Sequence, residues 1–111
     1  TWFARDVMNP TTGGGRWLEW LESLKQIDGP VHLTIDIDGL DGSQVPATGT
    51  PVPGGLSFWH VDQTIDVLFE NCDVISADVN EIVAQLDTPL TEFTAAMIAT
   101  KIISAYIGKE V

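Results

Sequence analysis

The sequence predicts an α/β domain in which a parallel sheet carries helices on both faces. Three observations lead there. Short β-branched runs alternate with longer segments of helical apolar spacing along the chain. Gly, Pro, Asn and Asp stand at the joints between them. A hydrophobic fraction of 44% in 111 residues supports one core and one small domain.

TWFARDV (1–7) reads as a short strand that ends at a turn around Asn9-Pro10. TTGGG (11–15) is a loop. Glycines before a helix can cradle a phosphate, but no P-loop Lys-Ser/Thr follows, so a plain turn is expected. Residues 16–26 are helical. Trp17, Leu18, Trp20, Leu21 and Leu24 share one face, opposite Glu19, Glu22 and Lys25. The tryptophans are expected in the core or at a subunit contact. Asp28-Gly29-Pro30 stops this helix.

VHLTIDI (31–37) reads as a strand buried on both faces, with His32 hydrogen-bonded at the edge of the core. GLDGSQVPATGTPVPGG (39–55) is a long loop, and its three prolines stiffen it, which favours a functional role. Ser57 caps a helix that runs to about Glu70 with Val61, Ile65, Leu68 and Phe69 as its apolar face; His60, in its first turn, is expected at the surface. DVISADV (73–79) is the next strand and 80–90 a loop. The last helix, 91–107, presents Phe93, Ala96, Met97, Thr100, Ile103 and Ile107 as its apolar positions.

Five Lys plus Arg face sixteen Asp plus Glu, for a net charge of -11. That balance repels phosphate backbones and anionic lipid, so no nucleic acid and no membrane partner is expected. No apolar run reads as long enough to span a bilayer, and no signal-peptide pattern opens the chain. Most of the charge reads as solvated surface, yet metal ions or cationic substrates are favoured partners. Cys72 is the single cysteine. It excludes an internal disulfide, fits a reducing, cytoplasmic setting, and reads as a packed small hydrophobe.

The chemistry concentrates in LTIDIDGLDG (33–42), which places Asp36, Asp38 and Asp41 within six residues. In parallel α/β sheets, ligands gather outside the carboxyl ends of strands. Asp36, Asp38 and Glu81 all fall at such ends. Residues two apart on a strand share a face, so Asp36 and Asp38 can aim at one point. Carboxylates that close repel unless a proton or a cation intervenes, and Mn²⁺ or Mg²⁺ suits them. An EF-hand is excluded, because Leu40 and Ala47 occupy its fifth and twelfth positions. An Asx-turn loop with capping aspartates is the other reading, and spacing alone leaves both open.

The run HLTIDIDGLDGSQVPATGTPVPGGLS (32–57) resembles the ureohydrolase family of arginases, agmatinases and related amidinohydrolases. TIDIDGLDG, PATGTP and GGL match that family's second metal motif, SADVNE (76–81) matches its D-x-x-E segment, and the register extends over 31–107. The resemblance implies an arginase-like three-layer α/β/α fold, with residues 1–111 as the C-terminal part of a single domain. It implies manganese-dependent hydrolysis of a guanidino compound to urea and an amine, with arginine favoured over agmatine. Two manganese ions are implied, Asp36 bridging both and Asp38 binding one. Glu81 would hold the substrate guanidinium and Thr50 would line the pocket beside it. Asp41 and Asp78 would either support the site from behind or cap turns. No catalytic proton shuttle or base is assigned in this chain, since the family's histidine-bearing motifs are expected upstream; His32 and His60 lie outside any such motif. Gly42, where the family usually has proline, should loosen a turn, and Asn80 replaces an apolar residue. Family members commonly form trimers or hexamers, so a homo-oligomer is expected. A non-catalytic scaffold or assembly piece is the alternative reading.

Overall fold

In the computed structural model, residues 1–9, 15–85 and 89–110 are described. The phosphate-cradle candidate at 11–14 lies outside them. Two strands, β1 (Pro30–Asp36) and β2 (Asp73–Asn80), form a parallel sheet. Their register sets Thr34 opposite Asp78 and Asp36 opposite Asn80, after an irregularity between Val31 and His32. The helix between them, α3 (Phe58–Asn71), makes the crossover that parallel strands require. Two helices precede β1, α1 (Ala4–Met8) and α2 (Trp17–Leu24), and α4 (Leu90–Glu110) comes after β2.

The core gathers on the face of β1 that carries Leu33 and Ile35. Ile37, Val61, Ile65, Leu68, Val74 and Ile98 complete its centre. α3 contributes the face expected of it: Val61, Ile65, Leu68 and Phe69 are all buried. Ser57 caps α3, accepting from the His60 backbone N–H at 3.3 Å, while the His60 ring Nδ1 accepts from the Ser57 N–H at 3.1 Å. His60 is therefore half-buried within a capping box. It is not the free surface side chain that its position in the first turn suggests. Trp17 joins α2 to α3 through Nε1, which donates to Gln63 Oε1 at 2.8 Å, and it meets the His60 ring edge-on. Cys72 packs as expected, buried at the end of α3 with its thiol donating to the Leu24 carbonyl.

Three expectations are corrected. Residues 1–7 are no strand: Ala4–Met8 is a helical turn, with the N–H groups of Asp6 and Val7 donating to the Phe3 carbonyl. A strand there would need a neighbour to satisfy its backbone, and the local turn satisfies it instead. β1 is not buried on both faces. His32, Thr34 and Asp36 alternate outward while Leu33 and Ile35 turn inward. α4 buries Thr91, Thr94, Ala95 and Ile98, leaving Phe93, Met97, Ile103 and Ile107 exposed. The helix is apolar nearly all round, so spacing alone could not choose its inward side.

α4 also revises the reading of membrane-length runs. Leu90–Gly108, 19 residues at a mean hydropathy of 1.2, is long and apolar enough to cross a bilayer by length and composition. In the structure it lies against α3, where Lys101 Nζ reaches Asp66 at 2.7 Å and Asp62 at 3.2 Å.

Ile65 is fully buried at the centre of the core. Ile65→Ala is expected to lower stability by about 2–5 kcal/mol, read as a lower denaturant midpoint with an unchanged slope.

Candidate active site

The two acidic clusters emerge side by side because β1 and β2 are parallel and end in register. β1 stops at Asp36, and residues Ile37–Gly39 form a single 3₁₀ turn. Strand pleating therefore does not bring Asp36 and Asp38 together, as their spacing suggested; the turn does. Asp36 Oδ1 accepts from the Asp38 N–H at 3.2 Å, which folds the second carboxylate back toward the first. The Asp36 carboxyl is pushed above its usual range, first by partial loss of solvent and then by the neighbouring Asp38 carboxylate, against the opposing pull of the Asp38 N–H. Asp38 Oδ2 in turn accepts from Thr50 Oγ1 at 2.7 Å. Thr50 thus stands at the carboxylate pair, its hydroxyl committed to Asp38.

Glu81 comes directly after β2, one residue beyond Asn80, the register partner of Asp36. Its φ of +66° lies in the left-handed region, the one such non-glycine residue among the described residues. That conformation costs on the order of 1–2 kcal/mol for a residue with a Cβ. Two residues on, the Val83 N–H donates to the Ala47 carbonyl at 2.9 Å and fixes the exit path.

The loop 41–55 is ordered by its own bonds. Asp41 Oδ1 accepts from the Ser43 hydroxyl and N–H, and Oδ2 from the Gly54 N–H at 2.7 Å. Asp41 therefore closes this loop. Gly42 does more than loosen a turn: its N–H donates to the Val52 carbonyl at 2.8 Å, a bond that proline could not make. At Gly55 a Cβ would stand 2.5 Å from the Leu40 carbonyl carbon, so the glycine of GGL permits close passage of two backbones. The Ala47 N–H donates to the buried Thr91 hydroxyl at 2.8 Å, tying the loop to the start of α4.

Asp78 caps no turn. It sits on the outward face of β2, where Oδ1 accepts from Thr34 Oγ1 at 2.6 Å and Oδ2 pairs with His32 Nε2 at 2.9 Å. These bonds, the Thr34 hydroxyl foremost, hold its carboxyl below the usual range. His32 and Thr34 escaped the sequence reading as members of this face. The signal was there: polar residues at every second position of both strands, His32, Thr34, Asp36 and Ser76, Asp78, Asn80, mark a half-exposed sheet.

Among the described residues no lysine or arginine pairs with Asp36, Asp38 or Glu81; the ion pairs of Arg5, Arg16, Lys25 and Lys101 lie elsewhere. Adjacent hard oxygen donors without a basic partner suit a divalent cation. No group of three or more His, Cys, Asp or Glu able to share an ion occurs among the described residues.

A family model described as the Arginase family matches residues 10–105. The chain belongs to the arginase family. An N(1)-aminopropylagmatine ureohydrolase from Thermococcus kodakarensis is 39% identical over 77 residues, 69% of this chain and 27% of that protein. An arginase from Bacillus subtilis is 33% identical over 92 residues, 83% of this chain and 30% of that one. A crystal structure of a hypothetical agmatinase from Burkholderia thailandensis superposes with a TM-score of 0.73 at 33% identity, over 92% of this chain and 32% of its own. The arginase-family fold is thus shared across nearly all of the chain, which spans about a third or less of these relatives' lengths.

The hydrogen bonds from Ser43 and Gly54 hold the Asp41 carboxyl down at about 2. Its folded value lies below its unfolded one, so its stabilisation is full above the ordinary carboxylate range. It is lost as pH falls through about 2. Asp41→Asn is expected to lower the melting temperature at pH 7, and the difference from the parent should shrink as pH falls toward 2.

Proposed function

We propose that this arginase-family chain supplies part of the active site of a ureohydrolase, which releases urea from a guanidino compound and leaves an amine. The observation that carries the reading is the juxtaposition at the carboxyl ends of β1 and β2: an aspartate pair without a basic partner among the described residues, beside a glutamate held in a strained turn.

The roles divide by chemistry. Asp36 and Asp38 offer hard oxygen donors to manganese, with Thr50 orienting Asp38. Two carboxylates fall short of a full ligand set, so further donors must come from outside the described residues. Bound manganese would supply a water of lowered pKa, able to act near neutral pH. Glu81 shares no ion-binding group with the pair among the described residues, which leaves its carboxylate for substrate. A guanidinium is a planar fork that a carboxylate matches with two parallel hydrogen bonds.

The sequence leans toward arginine as substrate. The relatives bear names of three kinds, aminopropylagmatine ureohydrolase, agmatinase and arginase. What they have in common is the guanidino group, and that is the proposed substrate class. A non-catalytic piece, the second reading, draws on the absence of a three-ligand cluster among the described residues.

In the full-length protein, Asp36→Ala is expected to abolish manganese-dependent urea release from arginine, agmatine and aminopropylagmatine. Release at the parent rate would refute the metal-binding role of the pair. Glu81→Gln is expected to retain manganese, measured by elemental analysis, while losing about a hundredfold in kcat/KM, the scale of a misplaced or missing substrate contact. Unchanged KM and kcat in that variant would remove Glu81 from the site.

A further inference from the structure

Asp78 clamps the two strands one layer below the proposed site. Thr34 of β1 and Asn80 of β2 both donate to its Oδ1, Asn80 Nδ2 also reaches Thr34 Oγ1 at 3.3 Å, and His32 holds Oδ2. His32 is itself fixed, with Nδ1 bonded to Ser76 Oγ at 2.7 Å. The cluster spans both strands, and its upper members adjoin the site directly. Thr34 lies two residues before Asp36, and Asn80 immediately precedes Glu81.

Glu81 needs such an anchor. Its left-handed backbone would relax if the end of β2 were free. On its far side the chain is held by the Val83 N–H on the Ala47 carbonyl. On its near side Asn80 is held by its strand pairing with Asp36 and by its side chain, which is bonded to Asp78 and Thr34.

We propose that Asp78 is a positioning residue for Glu81: through Asn80 and Thr34 it sets where the Glu81 carboxylate stands relative to the Asp36–Asp38 pair. This rests on the proposed guanidinium-binding role of Glu81. A bidentate grip on a planar cation depends steeply on direction, so small shifts of the carboxylate should weaken substrate binding. The proposed role is indirect: the Asp78 carboxylate is engaged by Thr34, Asn80 and His32.

The test is a double-mutant cycle in the full-length protein, assayed for urea release with saturating manganese. Asp78→Asn keeps the size of the side chain but exchanges an acceptor for a donor. It is expected to raise KM about tenfold, with kcat changed less and manganese content unaltered. In a Glu81→Gln background the same change should cost nothing further, because the residue through which Asp78 acts is already disabled. A full tenfold cost in that background would overturn the proposal and leave Asp78 a stabiliser of strand pairing only. Should Asp78→Asn fail to fold, Thr34→Val removes one donor to the same carboxylate at nearly constant volume and completes the same cycle. Failure of the underlying reading looks different. A parent protein that releases no urea from arginine, agmatine or aminopropylagmatine rejects both, whereas an active parent with an unchanged KM in Asp78→Asn rejects the positioning role alone.

Discussion

The parallel register of β1 and β2 is the constraint on which the rest of the site depends. With Asp36 opposite Asn80, both strands run out at the same edge, and their exit segments are delivered to the same place. One exit is a 3₁₀ turn, and the other begins with a left-handed glutamate. An antiparallel pair would have sent these two exits to opposite ends of the sheet. The crossover helix α3 is what permits the parallel arrangement, and its buried face, with Ile65 at the centre, anchors the sheet from below.

Around those exits the chain builds rigidity from backbone and polar groups. The Asp41 carboxylate closes the loop after β1, Gly42 and Gly55 let its strands of backbone pass closely, and Ala47 joins it both to α4 and to the segment after Glu81. A loop of that length without such bonds would not hold Thr50 against Asp38. On the outward face of the sheet a second polar network, centred on Asp78, locks the strands to one another. The apolar core and the polar face thus divide the work: the first fixes where the sheet lies, the second fixes how its two ends stand.

Electrostatics completes the arrangement. The chain is strongly acidic, and among the described residues Arg5, Arg16, Lys25 and Lys101 are engaged with carboxylates other than those of Asp36 and Asp38. Partial loss of solvent, with a smaller contribution from the neighbouring Asp38 carboxylate, raises the affinity of Asp36 for a proton. Such a pair gains from a cation what a salt-bridged pair would already have gained from lysine or arginine.

The sequence by itself determined the element types from residue 16 onward, the parallel α/β class and the candidate residues of the site. Alternation of β-branched runs with helical periodicity is a local property, and the motifs around Asp36, Asp38 and Glu81 are contiguous runs. Tertiary structure decided what local pattern leaves degenerate. It chose the inward face of α4, because a helix apolar on all sides offers no preferred one until Thr91, Ala95 and Ile98 meet the core. It made Ala4–Met8 a helical turn where a strand was expected, because a strand forms only where a neighbour accepts it. And it gave Asp41 and Asp78 different tasks, since a carboxylate's role depends on the donors that surround it, and those donors come from residues distant in the chain: Gly54 for the one, His32 and Thr34 for the other.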